Sequence, residues 1–172
     1  MYFLYGVYSA VYDFLDFLPV ILIGIFLLHD LSSALTFIIV LSILRQYTGG
    51  IHASTVFGCV ISYCLVYIAY YQLSEIFMSY SEIYLIAVCC GEYQLVTTPT
   101  MNKNKPMTDK QLQICGEKAR GVLSLLLILM LISYFWFPTF SVRIAMIIIT
   151  NFLLIIAQRV ANYESDKDFN SR

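Results

Sequence analysis

Two apolar runs at 120–137 and 141–160, parted by a short turn at Pro138 and Thr139, constrain this chain more than anything else in it. Each is close to the roughly 20 residues with which an α-helix crosses the hydrocarbon layer of a bilayer. A backbone inside hydrocarbon must satisfy its own hydrogen bonds, and a helix does so. Four further apolar segments precede them, at about 15–29, 31–44, 54–71 and 83–98. With 60% hydrophobic and only 12% charged residues, the 172-residue chain has too little polar surface to wrap a soluble globule. The expectation is an all-α polytopic membrane protein of about six transmembrane or re-entrant helices, forming one membrane domain over 1–172. Segments 15–29 and 31–44 are short and separated only by His29, Asp30, Leu31 and Ser32. A shallow re-entrant hairpin and two full crossings are both open for them.

The distribution of cations predicts topology, because basic loops are retained in the cytoplasm. Five of the ten Lys and Arg residues, Lys103, Lys105, Lys110, Lys118 and Arg120, fall in one stretch, so a basic cytoplasmic loop is expected over 99–118. Counting crossings back from it puts the 72–82 loop outside, and that loop holds Glu75 and Glu82 but no Lys or Arg. The same count puts Arg45 and the residues after it on the cytoplasmic side, with both termini cytoplasmic. Arg143 alone falls on the outer side, where its long stem would let it snorkel to the interface. The start, 1–14, is rich in aromatics (Tyr2, Phe3, Tyr5, Tyr8, Tyr12) and reads either as an interfacial segment or as the beginning of the first helix. The first 30 residues lack a basic n-region and a small-residue cleavage site, so no removed signal peptide is expected. Residues 163–172 read as a flexible tail.

Several function classes drop out at this level. A net charge of -1 gives no footprint for nucleic acid. The five cysteines are odd in number and lack CxxC spacing, which argues against a disulfide or zinc framework, and no cofactor is expected. A zinc site of His52, Cys59 and Cys89 has no ligand spacing behind it.

One short interruption between apolar runs carries the chemistry. Arg45, Gln46, Tyr47, Thr48, Gly49, Gly50, Ile51, His52 and Ala53 are followed, six residues on, by Cys59. On a continuous helix His52 and Cys59 would share a face but stand about 10 Å apart along the axis. Proton transfer needs roughly 3 Å. If the two act together, the helix has to break, and adjacent glycines end helices and adopt conformations closed to other residues. The third helix is then expected to begin after Ser54, with a turn carrying His52 back over its first turn. A thiol's ordinary pKa of about 8.5 leaves it mostly protonated at neutral pH, and an imidazole or a helix N-terminus can lower it to supply thiolate. Gly49 and Gly50 would offer backbone N–H groups to an oxyanion, and Arg45 a cation for an acidic group or for the loop itself.

Each residue alone has a plainer reading: a hydrogen-bonded histidine, a cysteine packed as a small hydrophobe, a positive-inside arginine, a glycine turn. Cys64, Cys89 and Cys90 read as packing residues. Glu92 and Asn151 lie inside apolar runs, where polar side chains are functional candidates by default, and interhelical hydrogen bonding is their structural reading. His29 marks a turn.

The pattern R-x3-G-G-x-H-A-x5-C, filled by Arg45, Gly49, Gly50, His52, Ala53 and Cys59, resembles the signature of the AgrB family of membrane endopeptidases. The similarity extends to Tyr5 and Gly6 and to the Pro99–Met107 stretch with its Asn-Lys-Pro element. The resemblance implies a membrane-embedded cysteine endopeptidase that cuts the C-terminal part of a small AgrD-like propeptide. The new carboxyl would then be closed into a thiolactone or lactone signal for quorum sensing. Carried over by position, Cys59 is the nucleophile and His52 its general base and acid, with Arg45, Gly49 and Gly50 supporting. It also implies a homodimer as the form to look for. Family members commonly carry a longer amphipathic stretch before the Tyr-Gly element, whereas four residues precede Tyr5 here. That departure bears on substrate docking more than on catalysis. Two other classes stand beside this one: a small transporter, and a non-catalytic membrane scaffold in which the glycine-histidine segment is only a turn.

Overall fold

The computed structural model describes residues 17–49, 55–100 and 108–170. Among them every regular element is helical: α1 (Phe17–Leu27, closing in a π-turn over Ile23–Leu27), α2 (Leu31–Thr48), α3 (Val56–Phe77), α4 (Glu82–Thr97), α5 (Asp109–Trp136) and α6 (Pro138–Asn170). The all-α membrane architecture therefore stands. Four helices, α2, α3, α5 and α6, are long and apolar enough to cross a bilayer, while α1 and α4 are shorter.

Local sequence sets the boundaries. Asp30 caps α2 by accepting from the Ser33 N–H at 2.9 Å, and His29 takes the turn at φ 53°, so the expected turn between α1 and α2 is there. The expected end of the second segment at 44 is revised, because α2 runs on to Thr48, which makes it long enough to span. Thr108 and Gln111 form a reciprocal capping box. That box starts α5 at Asp109, so the stretch expected as loop through 118 is helical over its second half. Phe137 alone separates α5 from α6, whose first residue is Pro138, where a missing N–H costs nothing. The tail expected to be flexible from 163 is instead the end of α6, which continues to Asn170. The expectations for 1–14 lie outside the described residues.

Contacts fix the helix directions. Asp30 at the start of α2 meets Arg143 near the start of α6, and Thr48 at the end of α2 meets Asn151 further along α6. Gln94 of α4 also reaches α6, and Arg159 of α6 reaches Thr97 at the end of α4. So α2, α4 and α6 run parallel, with α3 and α5 opposed to them.

Helix α6 is the centre of the bundle. Its residues 141–148 are buried on every side, as expected of a helix ringed by others. Between α2 and α3 the core is aromatic: Phe37 stands 5.3, 5.2 and 5.0 Å from the rings of Tyr63, Tyr67 and Tyr70. Outward, α5 leaves Leu125, Ile128, Leu131, Ile132, Phe135 and Trp136 exposed, a face suited to lipid. In lipid, packing and interhelical hydrogen bonds hold such a bundle together, because hydrocarbon offers no hydrophobic penalty to escape. Polar contacts inside the bundle therefore carry more of its specificity than they would in a soluble protein.

The expectation that Arg143 snorkels is overturned. It is buried and forms an ion pair with Asp30, with a second bond from its guanidinium to the Ser32 hydroxyl at 3.3 Å. A carboxylate at the α1–α2 turn holds the cation inside, where the sequence alone pointed it outward.

Candidate functional site

The site begins where α2 stops. The Gly49 N–H closes the last turn on the Arg45 carbonyl at 3.2 Å, and Gly49 then leaves the helix at φ 77°, ψ −170°. This left-handed φ is open to glycine and strained for other residues. A second constraint acts on the same atom: a Cβ at Gly49 would collide with the Thr100 carbonyl oxygen. The strap Thr98-Pro99-Thr100, leaving α4 through a cis peptide before Pro99, lies directly against this glycine. It is tied there by a bond from the Thr100 N–H to the Thr48 carbonyl at 2.9 Å. Because the Gly49 N–H is already spent on Arg45, it does not serve as the oxyanion donor expected of it. Gly50 lies outside the described residues.

Among the described residues the chain is helical again from Val56. Thr55 is extended at φ −124°, ψ 146°, and caps α3 by accepting from the Gly58 N–H at 3.2 Å. Cys59 therefore sits in the first turn of α3, with its own N–H on the Thr55 carbonyl at 3.0 Å. The expectation of a helix beginning after Ser54 holds, and no single helix runs through positions 52 and 59. His52 lies outside the described residues.

Cys59 occupies the stripe of α3 that continues, one turn at a time, through Tyr63, Tyr67 and Tyr70. That stripe packs on α2 through Phe37. The Arg45 guanidinium stands 5.7 Å over the Tyr63 ring, and the Tyr63 hydroxyl is 3.1 Å from that of Ser42. Two residues of the motif, Arg45 and half-buried Cys59, are thus brought to the same end of the α2–α3 seam. All five cysteines are thiols. Cys64 and Cys90 pack against the core, as expected of packing residues, whereas Cys89 is exposed on α4. Among the described residues no group of His, Cys, Asp and Glu is arranged to hold a metal ion.

Behind the glycine turn lies a polar cluster. Gln94, Asn151 and Thr48 are all fully buried. The Gln94 amide N–H donates to the carbonyls of Ile148 at 3.0 Å and Cys90 at 3.1 Å. Asn151 donates to Gln94 Oε1 at 2.6 Å and to the Thr48 hydroxyl at 3.3 Å. Thr48 in turn donates to the Leu44 carbonyl at 2.9 Å. Asn151 thus makes the interhelical bonds expected of it. Glu92 does not follow suit: it lies on the exposed face of α4. Gln94, two residues on and therefore on the other face, takes the inward role, and sequence reasoning passed over it. The signal available was its spacing, three residues beyond Gly91 and seven beyond Ala87, two other inward-packed positions of that helix.

These features define a class: an all-α membrane protein with a glycine-broken helix junction that carries an arginine on one side and a thiol on the other. The family model for accessory gene regulator B, AgrB, matches residues 2–158, and the chain belongs to that family. Membership ties it to the accessory gene regulator system. No curated protein and no solved structure matches the chain.

Proposed function

We propose that this chain is a membrane-embedded cysteine endopeptidase. It cleaves a short AgrD-like propeptide through a thioester and hands the acyl group to a side chain of the same peptide. The observation that carries the reading is that the chain leaves α2 at Gly49 and is extended at Thr55, so that Cys59 does not share one continuous helix with position 52. Family membership supports the reading.

In this mechanism the Cys59 sulfur attacks the scissile carbonyl, forming a C–S bond. The C–N bond breaks, and His52 delivers the thiol's proton to the departing amine. Placement in the first turn of α3 helps, because the positive end of the helix dipole stabilises negative charge developing near it. A propeptide Cys or Ser then attacks the thioester, His52 takes its proton and returns it to Cys59, and a thiolactone or lactone closes. Water at that step would give a linear product, so the site works best where water is excluded. A thioester lies above an amide in free energy, so thiolactone formation is near balance or uphill, and loss of the tail or export of the product has to draw it forward.

We place this end of the bundle on the cytoplasmic side, and with it both termini. Arg45, Lys118 and Arg159 gather there, with Lys118 5.5 Å over the Tyr47 ring and Arg159 bonded to Tyr93 and Thr97. Asp30, Glu75 and Glu82 lie towards the other end, so the bias follows the positive-inside rule.

The test is co-expression with a short AgrD-like propeptide carrying an internal Cys or Ser, and mass spectrometry of the peptide products. Cleavage is expected from the wild type and lost by about 100-fold or more in Cys59→Ala and His52→Ala, with both proteins inserted normally. Undiminished cleavage by Cys59→Ala would overturn the reading.

A further inference from the structure

We propose that Gln94 and Asn151 are positioning residues of this site: an amide pair that fixes where α2 ends at Thr48 and Gly49, and so the point from which the chain sets out towards Cys59. The inference rests on the endopeptidase reading for its consequence, but the geometry behind it is independent of that reading.

The pair has only one workable polarity. Carbonyls accept and never donate, so the Gln94 amide nitrogen must face Ile148 and Cys90. Its Oε1 is then left to accept, and the Asn151 nitrogen supplies the proton at 2.6 Å. The same Asn151 nitrogen reaches Thr48 Oγ1, whose own proton is taken by Leu44. Asn151 thus donates from α6 both into α4 and into the last turn of α2, and the Thr48 hydroxyl's bond to Leu44 is shorter than its approaches to the Gly49 carbonyl at 3.2 Å and to Asn151 Oδ1 at 3.4 Å. One residue further, the Thr48 carbonyl holds the strap through Thr100, and the strap holds Gly49.

Packing alone does not call for this device. Replacing both partners of a buried hydrogen bond by apolar groups of similar shape is often close to neutral for stability. What apolar groups lack is direction, since a leucine pair would tolerate α2 rotating or sliding by a fraction of a turn. Two amides whose N–H groups are all spent on named acceptors do not tolerate it. A displacement of about 1 Å at a reacting pair is enough to cost up to about 100-fold in rate, so directional fixing of the turn has a use that packing does not.

The experiment uses the full-length chain in membranes, with the variants Asn151→Leu, Gln94→Leu, their double mutant, and the exchange Gln94→Asn/Asn151→Gln, which keeps an amide pair. Two readouts are taken. The first is propeptide cleavage, resolved into kcat and KM. The second is the pH profile of Cys59 alkylation by iodoacetamide in a background lacking the other four cysteines, which needs no propeptide.

The expected result is a kcat lowered about 10- to 100-fold in both single mutants and in the double Leu mutant, with KM changed less than about threefold. The amide exchange recovers part of the loss. Alkylation of Cys59 at neutral pH should slow about 10-fold in the Leu variants while thermal stability of the double mutant stays near wild type. A double Leu mutant with wild-type kcat and an unchanged alkylation profile would overturn the proposal. If the wild type failed to cleave any propeptide, the endopeptidase reading would fall, and the alkylation profile would still decide whether the amide pair positions the thiol.

Discussion

Helices α2 and α6 lie side by side and are joined at both ends by polar groups, but by opposite kinds. At the start of α2 the join is ionic, Asp30 with Arg143. At the end of α2 it is neutral: Thr48, Asn151 and Gln94, each fully buried and each bonded. An ion pair in a low-dielectric setting is strong only while both partners remain, and it is forgiving of angle. Neutral amides are weaker and directional. The difference suggests a division of labour in which the ionic end anchors the two helices and the neutral end aims the chain that leaves α2.

Breaking the ionic end should have the largest effect on stability. Arg143→Met leaves Asp30 in an apolar setting without its partner and should cost about 3 kcal/mol in detergent unfolding measurements. Asp30→Asn in the same chain should return most of it. Cleavage per folded molecule should change little, and a specific activity that fell with Arg143→Met at constant folded fraction would argue against the division. At the neutral end, Gly49→Ala forces a Cβ into a left-handed backbone and against Thr100, for about 2 kcal/mol. Its effect on cleavage should outrun its effect on stability, because the strap moves with the glycine. Thr55→Ala removes the cap of α3 and should cost about 1 kcal/mol, read as faster amide exchange over Val56–Val60. The smallest effect belongs between the ends, where Ser42→Ala deletes one partly buried hydroxyl contact to Tyr63 and should cost about 0.5 kcal/mol.

Much of this was readable from composition and spacing. Apolar run length gave the helices, because hydrocarbon leaves a backbone few alternatives. The glycine pair gave the break, since a helix cannot absorb Gly49 at φ 77°. Helix ends were less legible. α5 began ten or so residues early because Thr108 and Gln111 cap a polar helical turn that hydropathy does not register. Partner identity was least legible of all. Arg143 looked misplaced until Asp30, more than a hundred residues away in sequence, was beside it. Glu92 drew attention as a charge in an apolar run, yet the face it occupies looks outward, and neutral Gln94 turned in. Charge is visible in a sequence, while the side of a helix that meets a neighbour is settled only by packing.

A cysteine endopeptidase working through Cys59 must have that thiol acylated by the propeptide. Full-length protein incubated with propeptide, quenched in acid and weighed intact by mass spectrometry should carry an adduct equal to the N-terminal portion of the peptide. That adduct should map to Cys59, be released by neutral hydroxylamine as a thioester, and build up when the internal Cys or Ser of the propeptide is replaced by Ala. Cleaved peptide appearing with no such adduct, and undiminished in Cys59→Ala, would contradict the account.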